Sequence, residues 1–341
     1  MFIPLSSKPS RTLRPDSSGI SDNDWAILAD FWFPVAIAAD VQDKPVPATL
    51  LDVDLVLYRG KDRTCAAALD VCPHRQVRLS IGSVIDGEIT CPFHGLRFDT
   101  SGRCQLVPAL GKRMKLPEDY RVRTFPVKER YGLLWTCLGD ASRRQIPHFP
   151  HIADVDPALL SYVTPQVWPV SAARQIENFF DLAHLPFVHA NTLGGDPNLP
   201  MKPGQVEQTD DEVVLTAQYV ETPPNSPPRP CTFIYRMIIP FAIDFTVKDE
   251  SPHQMRGYNM PSPVNAHQSK VFQIIRFLPD ETSKQRAAAA GFGEINAEDM
   301  RVLATLRLQD MPLDQHHEIH LPVDNICGAY RAKLRGLGLG L

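Results

Sequence analysis

Apolar and polar residues alternate in short segments over the first half of the chain, with turn-forming residues between the segments. A period of two predicts β-strands that each bury one face. The Asp86-Gly87 pair adds a predicted hairpin turn, because both residue types adopt positive φ readily. The segments predicted as strands are Leu51–Tyr58, Cys65–Val71, Val77–Ile81, a segment that begins at Ile89, Tyr120–Lys128 and Tyr131–Leu138.

Longer predicted strands and helices follow in the second half of the chain. Pro186 disfavours helical backbone at the residue before it, so the first of these helices should end or kink there. The proline-rich segment 222–230 predicts a loop, because prolines cannot donate to a sheet. The predicted helices are about 172–185, Ala297–Leu308 and Asp324–Leu337. The predicted strands are Tyr162–Trp168, Glu212–Tyr219, Thr232–Ile239, Ile243–Lys248 and Ser269–Phe277.

This order of elements predicts an α+β fold with two domains. Residues 1–20 are polar and aperiodic, which predicts a flexible tail. Residues 21–150 should form a small all-β domain, and residues 151–341 a second domain with an antiparallel sheet backed by helices. At 341 residues, the chain is long enough for each domain to bury its own core.

Composition narrows the possible partners. The net charge of −4 gives no electrostatic support for nucleic-acid binding. No apolar run approaches the roughly 18 residues of a membrane span, and the first residues lack the apolar core of a signal peptide. The seven cysteines then suit a reducing compartment. We therefore expect a cytoplasmic protein that binds neither nucleic acid nor membrane.

Two short motifs, Cys72-Pro-His74 and Cys91-Pro-Phe-His94, stand sixteen residues apart inside the predicted all-β domain. Two Cys and two His ligands are what a Rieske-type [2Fe–2S] cluster requires, with thiolates on one iron and imidazoles on the other. A four-ligand zinc site is an alternative, as are buried thiols beside surface histidines. Zinc sites of this type usually have two cysteines in one short motif and two histidines in the other, whereas each motif here contains one Cys and one His. The spacing therefore favours the redox-active cluster.

A second motif lies in the segment 176–190, where Asp181 and His184 stand three residues apart and would share one face of a helix. A break at Pro186 would let His189 approach His184. Two histidines and a carboxylate form the facial triad of non-heme Fe(II) oxygenases, which leaves coordination positions open. The alternative is that both histidines are merely packed or exposed.

Together the two motifs resemble those of the oxygenase component of Rieske non-heme iron oxygenases, over essentially the whole chain after the tail. The resemblance is to the branch with a single subunit type, which includes caffeine N-demethylases, dicamba O-demethylase and saxitoxin-pathway hydroxylases. Residues 177–194 look similar to the first of these, and residues 318–334 to the last. The resemblance implies a Rieske domain at 21–150 and a START-like, helix-grip catalytic domain at 151–341.

The resemblance also assigns roles to residues. It implies Asp181 as the carboxylate that bridges a cluster histidine of one subunit to an iron histidine of its neighbour, in a head-to-tail homotrimer. The residues that match the cluster ligands are Cys72, His74, Cys91 and His94, and those that match the iron ligands are His184, His189 and, in the segment 298–303, Asp299.

Asp299 is supported by its own surroundings in the sequence. On a helix it would share an apolar face with Leu303, and a carboxylate buried without a partner is costly. The alternative is that Asn296 caps this helix and that Asp299 closes a capping box. Glu298 and Glu294 are the other candidates for the third iron ligand.

The implied activity is O2-dependent hydroxylation of a small aromatic or heterocyclic molecule, including oxidative N- or O-demethylation. Cis-dihydroxylation of an aromatic ring and non-catalytic electron transfer are the alternatives. No nucleotide-binding fingerprint occurs in the chain, so electrons from NAD(P)H should arrive through a separate reductase or ferredoxin. Many relatives carry Tyr and Trp where this chain has Phe93 and Leu96, which leaves the identity of the donor open.

Overall fold

A computed structural model of the protein describes residues 13–111, 116–223, 226–250, 254–278, 282–311, 313 and 317–341. Most of the predicted tail, and residues 224–225 of the predicted loop, therefore lie outside the described residues. Within the described residues, no helix has the length and apolar character needed to cross a membrane.

The chain contains five α-helices and eighteen strands within its described residues. The helices are α1 (Asp22–Ala29), α2 (Ala172–Phe180), α3 (Leu185–Val188), α4 (Thr282–Leu303) and α5 (Asn325–Gly336). The strands of the first half are β1 (Phe33–Ile37), β2 (Val46–Leu50), β3 (Val53–Arg59), β4 (Cys65–Leu69), β5 (Ser83–Ile85), β6 (Glu88–Thr90), β7 (Arg97–Phe98), β8 (Cys104–Leu106), β9 (Thr124–Phe125), β10 (Val127–Arg130) and β11 (Leu133–Thr136). Those of the second half are β12 (Ser161–Trp168), β13 (Gln205–Gln208), β14 (Glu212–Glu221), β15 (Arg229–Ile238), β16 (Ala242–Lys248), β17 (Gln254–Asn265) and β18 (Gln268–Leu278).

Three small antiparallel sheets form the first half, in the orders β1-β11-β10, β2-β3-β4-β9 and β5-β6-β7-β8. The predicted hairpin at Asp86-Gly87 joins β5 to β6, and both residues have positive φ. The predicted strand Val77–Ile81 is wrong, because this segment satisfies its polar groups locally instead. The Ser80 amide, for example, donates to the Asp70 carboxylate at 2.6 Å.

One antiparallel sheet of seven strands forms the second half, in the order β12-β18-β17-β16-β15-β14-β13. Its longest strand, β17, is absent from the prediction because its glycine and prolines argue against a strand. Helices α2, α4 and α5 pack on this sheet, α2 over β17 and β18, α4 over β12 and β18. The predicted α+β architecture, with an antiparallel sheet backed by helices, is thus confirmed.

Two helix predictions need correction. Helix α2 begins at its N-cap Ser171, whose side chain accepts from the Arg174 amide, but it ends at Phe180 rather than near 185. Asp181 then takes an extended conformation, and Pro186 lies in the first turn of α3, where its missing N–H costs nothing. Helix α4 spans Thr282–Leu303 instead of Ala297–Leu308, so Asn296 lies inside the helix and does not cap it.

Candidate metal centres

The two Cys-His motifs form loops of the same design. In each loop the cysteine amide donates to the carbonyl five residues later, Cys72 to Val77 and Cys91 to Leu96, both at 2.8 Å. Each cysteine carbonyl in turn accepts from the amide four residues later, which belongs to Gln76 in one loop and Gly95 in the other. The backbone therefore turns each cysteine inward and lets the following residues return over it.

This design needs a left-handed residue at the fourth position after each cysteine. Gln76 has a φ of 61° and Gly95 a φ of 70°. Glycine adopts this conformation without steric cost, and a Cβ on Gly95 would also stand 3.0 Å from Pro108 Cγ. Gln76 shows that a side chain can be tolerated in this turn, but at Gly95 it would also come close to Pro108, which favours glycine there.

The four side chains of these loops suit a Rieske cluster. Cys72 and Cys91 are buried, and burial raises the pKa of the Cys72 thiol to about 11. His74 and His94 are exposed, with their ring centroids 4.7 Å apart. Two neighbouring imidazoles at the surface and two neighbouring thiols beneath them are the donor sets that the two irons need. The residues present therefore fit a [2Fe–2S] group.

A second set of donors meets beside helix α4. The Nε2 atoms of His184 and His189 lie 3.2 Å apart, and Asp299 Oδ1 lies 3.4 Å from the first and 3.1 Å from the second. The two histidines flank α3, whose single turn brings them to the same side of the chain. The sequence-predicted triad is thus brought together at one point.

These distances suit a single metal ion. Donors at about 2.1 Å from a metal and at right angles to one another are about 3 Å apart, close to the three observed separations. Asp299 Oδ1 is buried and has no aligned hydrogen-bond partner, although both imidazoles are near. An orphaned carboxylate oxygen facing two imidazole nitrogens fits the two-histidine, one-carboxylate set of non-heme iron.

Each imidazole also has a carboxylate at its Nδ1 atom, on the side of the ring away from Nε2. Asp181 Oδ2 lies 3.1 Å from Nδ1 of His184, and Glu298 Oε2 lies 2.8 Å from Nδ1 of His189. The Thr192 hydroxyl donates to the same Glu298 oxygen at 2.7 Å. A carboxylate on Nδ1 keeps the proton there and leaves Nε2 free to ligate a metal. Glu298 therefore supports a ligand, and its carboxylate does not lie among the three converging donors.

The charges around the triad favour a cation. Burial lowers the pKa of His184, but the carboxylates of Asp181 and Asp299 outweigh burial and raise it to about 9. Burial alone would raise the pKa of Asp299, but the imidazoles of His184 and His189 have the larger effect, so the pKa is lowered. A positive charge between these groups, whether a proton or a metal ion, is thus stabilised.

A buried ion network fixes helix α2 behind this centre. Arg331 of α5 contacts both oxygens of Glu177, at 2.7 and 2.8 Å, and Arg174 contacts the same carboxylate at 2.7 Å. Glu318 completes the network with bonds to both arginines. Sequence reasoning missed this network and the roles of Glu298 and Thr192, because all of them depend on contacts between distant segments.

Comparisons with known proteins agree with this geometry. A model of the Rieske [2Fe-2S] domain matches residues 31–126, and a model of the vanillate O-demethylase oxygenase C-terminal domain matches residues 168–339. The four predicted cluster ligands lie inside the first range, and the three predicted iron ligands lie inside the second.

Whole-chain relatives point the same way. The chain is 31% identical to methylxanthine N1-demethylase NdmA of Pseudomonas putida, over 93% of this chain and 91% of that one. It is 38% identical to the oxygenase component of dicamba O-demethylase from Stenotrophomonas maltophilia over 46% of each chain. The structure of NdmA with caffeine superimposes with a TM-score of 0.77 over 92% of both chains, at 29% identity. The chain therefore belongs to the Rieske oxygenases, as an oxygenase component with a [2Fe–2S] cluster and a non-heme iron that takes its electrons from a separate reductase or ferredoxin.

Proposed function

We propose that the protein removes a methyl group from a small organic molecule by hydroxylating it. One O2, two electrons and two protons convert R–CH3 to R–CH2OH and water, and a hydroxymethyl group on nitrogen or oxygen then leaves as formaldehyde. The observation that carries the proposal is the convergence of His184, His189 and Asp299, because such a triad leaves positions for O2 and substrate. The similarity to N- and O-demethylases supports a methyl group as the point of attack.

We assign the site residues as follows. An iron ion held by the triad supplies the O2 chemistry, while the protein positions it and shapes a dry pocket. Asp181 and Glu298 orient the two imidazoles, and Thr192 orients Glu298. The cluster ligands are the two buried thiols and two exposed imidazoles, Cys72, Cys91, His74 and His94.

Asp181 supports an electron path between subunits. Its Oδ2 holds His184, yet 35% of the side chain remains exposed. An exposed carboxylate edge can accept a second imidazole, and we propose that this is a cluster histidine of a neighbouring subunit. The arrangement requires a head-to-tail contact, and such contacts close into rings such as the homotrimer that the resemblance implies.

Exposed aromatic rings beside both centres support the same assembly. Phe93, 59% exposed, lies against the cluster histidine His94 with a centroid distance of 4.0 Å. Phe187, 67% exposed, lies on α3 between the two iron histidines. Large exposed apolar groups next to a functional site are typical of contact surfaces, and a head-to-tail ring would cover both.

Two further predictions, one on the domain boundary and one on the location in the cell, complete the proposal. We place the boundary between the Rieske and catalytic domains at about residue 150, as the sequence predicts, with residues 21–150 and 151–341 as the two domains. We also retain a cytoplasmic location, which the five cysteines outside the cluster motifs support, because none of them forms a disulfide and a reducing compartment keeps thiols unpaired.

A single turnover tests the proposed reaction. Chemically reduced protein with both metals is exposed to O2 together with a panel of N-methyl, O-methyl and unsubstituted aromatic compounds. Formaldehyde and the matching demethylated product are the expected result. Hydroxylated product without formaldehyde would contradict demethylation, and a diol that carries both atoms of O2 would establish dihydroxylation instead.

A further inference from the structure

Asp70 is a buried carboxylate that comes directly before the first of the two Cys-His loops. It lies two residues before Cys72, and 1% of it is exposed. One carboxylate oxygen accepts from the Ser80 amide and the other from the Ser80 hydroxyl, both at 2.6 Å. Its own amide donates to the carbonyl of Asp54 at 2.9 Å. Asp70 therefore joins the two ends of the segment that carries Cys72 and His74.

No positive side chain neutralises the charge of Asp70. Within the described residues its carboxylate bonds to Ser80 and forms no ion pair with Lys, Arg or His. Arg78, which lies in the same segment, pairs with Asp54 instead, at 2.6 Å. A buried carboxylate is usually paired with a cation, because burying its charge alone is costly. Two bonds from neutral donors leave most of the negative charge to act on its surroundings.

The cluster that Cys72 would hold lies within range of this charge. Two residues of chain span at most about 7 Å, and the two side chains add a few ångströms each, so the carboxylate is at most about 12 Å from the Cys72 sulfur. Cys72, like Asp70, is 1% exposed. Water and salt screen the interaction of buried groups much less than that of exposed ones.

The charge of a Rieske cluster changes when the cluster is reduced. Two ferric ions, two sulfides, two thiolates and two neutral imidazoles together carry no net charge, so one added electron leaves one negative charge. A second negative charge nearby repels this electron and favours the oxidised state. Net charge around an iron–sulfur cluster is one of the factors that set its reduction potential.

We propose that Asp70 lowers the reduction potential of the [2Fe–2S] cluster and so makes the reduced cluster a stronger electron donor to the mononuclear iron. The Ser80 hydroxyl limits the effect, because its hydrogen bond offsets part of the charge. Asp70 acts through the cluster and is thus a positioning residue, with no contact to substrate. The inference rests on the proposed cluster ligands, because Cys72 places the cluster near Asp70.

A redox titration of the protein with both metals, without substrate or O2, tests this role. Asp70→Asn keeps the shape of the side chain and can form both bonds to Ser80, so it removes the charge alone. For charges roughly 10 Å apart at an effective dielectric constant of about 20, the ratio of reduced to oxidised cluster should rise about tenfold, which is about 59 mV for one electron. The exposed Asp119 gives the control Asp119→Asn, which should leave the potential unchanged. An unchanged or lower potential in Asp70→Asn overturns the proposal.

Ser80→Ala separates the charge of Asp70 from its part in closing the loop. This variant keeps the carboxylate and removes the hydroxyl that offsets its charge, so the potential should fall, by about threefold in the same ratio or about 28 mV. A role in loop closure alone would move the potential in the same direction in both variants, because both change the same link. If Asp70→Asn does not hold the cluster, an unchanged or higher potential in Ser80→Ala overturns the proposal by itself.

The titration also distinguishes this inference from the proposed function. Shifts of opposite sign in the two variants would support the role of Asp70 even if the protein released no formaldehyde from any methylated compound. Absence of a Rieske spectrum from the unaltered protein would overturn the cluster ligands and this inference together.

Discussion

The Glu298 carboxylate lies 2.8 Å from Nδ1 of His189, on the side of the imidazole that faces away from Asp299. Neighbouring residues of one helix thus lie on opposite sides of the His189 ring. In the site that we propose, Asp299 offers an oxygen to the iron, and Glu298 fixes the ring whose other nitrogen would ligate it. Thr192 holds Glu298 in turn, so the centre is built from two layers of side chains.

We predict that Glu298→Gln lowers the Fe(II) affinity of the mononuclear site about 10- to 100-fold, because the amide no longer provides the charge that fixes the His189 proton on Nδ1. Competition with a chelator measures the affinity. Glu294→Gln, an exposed substitution on the same helix, is the matched control and should bind iron normally. An unchanged affinity in Glu298→Gln would show that the carboxylate has no part in the centre.

Asp299→Ala should lose the mononuclear iron and retain the cluster, because only the iron depends on this carboxylate. Metal analysis gives total iron, and the visible and electron paramagnetic resonance spectra give the cluster. We expect iron beyond the cluster to fall to about a tenth or less of its normal amount. Normal iron content in this variant would move the third ligand to another residue.

Asp181→Asn should lose nearly all turnover, about 100-fold, even when both metals are fully loaded, and it should also weaken iron binding because the charge beside Nδ1 of His184 is lost. The amide retains the shape of the carboxylate but weakens the link that we propose between the iron histidine and a neighbouring cluster. Turnover per iron and per cluster is the quantity to compare. Full activity in the metal-replete variant would exclude the bridging role.

Glu318→Gln tests the ion network that holds α2. Burial raises the pKa of Glu318, but Arg174 and Arg331 outweigh burial and lower it. A carboxylate whose folded pKa is depressed stabilises the fold above its unfolded pKa and loses that contribution as the pH falls through the folded value.

We therefore expect Glu318→Gln to lower the free energy of unfolding by about 2 kcal/mol at pH 7. The difference should shrink as the pH falls below about 4, where the natural residue also loses its charge. Urea denaturation at a series of pH values measures it, with the exposed Glu207→Gln as control. A difference that is constant with pH would rule out the charge as its source.

Sequence reasoning singled out the two Cys-His motifs and the two histidines that the structure brings together, because these residues lie within short segments. Each Cys-His loop closes on itself through bonds four or five residues apart, so its chemistry can be recognised without the rest of the fold. The hairpin at Asp86-Gly87 is predictable for the same reason, since the backbone preference of two adjacent residues decides it.

Other features depend on contacts that the local pattern does not record. Gly291 and Gly293 interrupt the helical pattern before Ala297, yet α4 runs through both and packs on β12 and β18. Strand β17 keeps its place despite Pro261 and Pro263 because both prolines lie beyond Asn259, where pairing with β16 ends, and β18 still pairs with them on the other side. Hydrogen bonds between the buried amides of Gln175, Asn259, Gln273 and Asn296 join α2, β17, β18 and α4, and nothing in the local sequence marks these contacts.

The most direct test of the account follows both metal centres through one turnover. The substrate is the panel compound that yields formaldehyde. Reduced protein with one equivalent of this compound bound is mixed with 18O2, and samples are frozen at intervals. The account predicts that clusters are oxidised in step with product, about one for each molecule formed, and that the new hydroxyl or formaldehyde oxygen carries 18O. Product that forms while the cluster stays reduced, or cluster oxidation at the same rate without substrate, would contradict it.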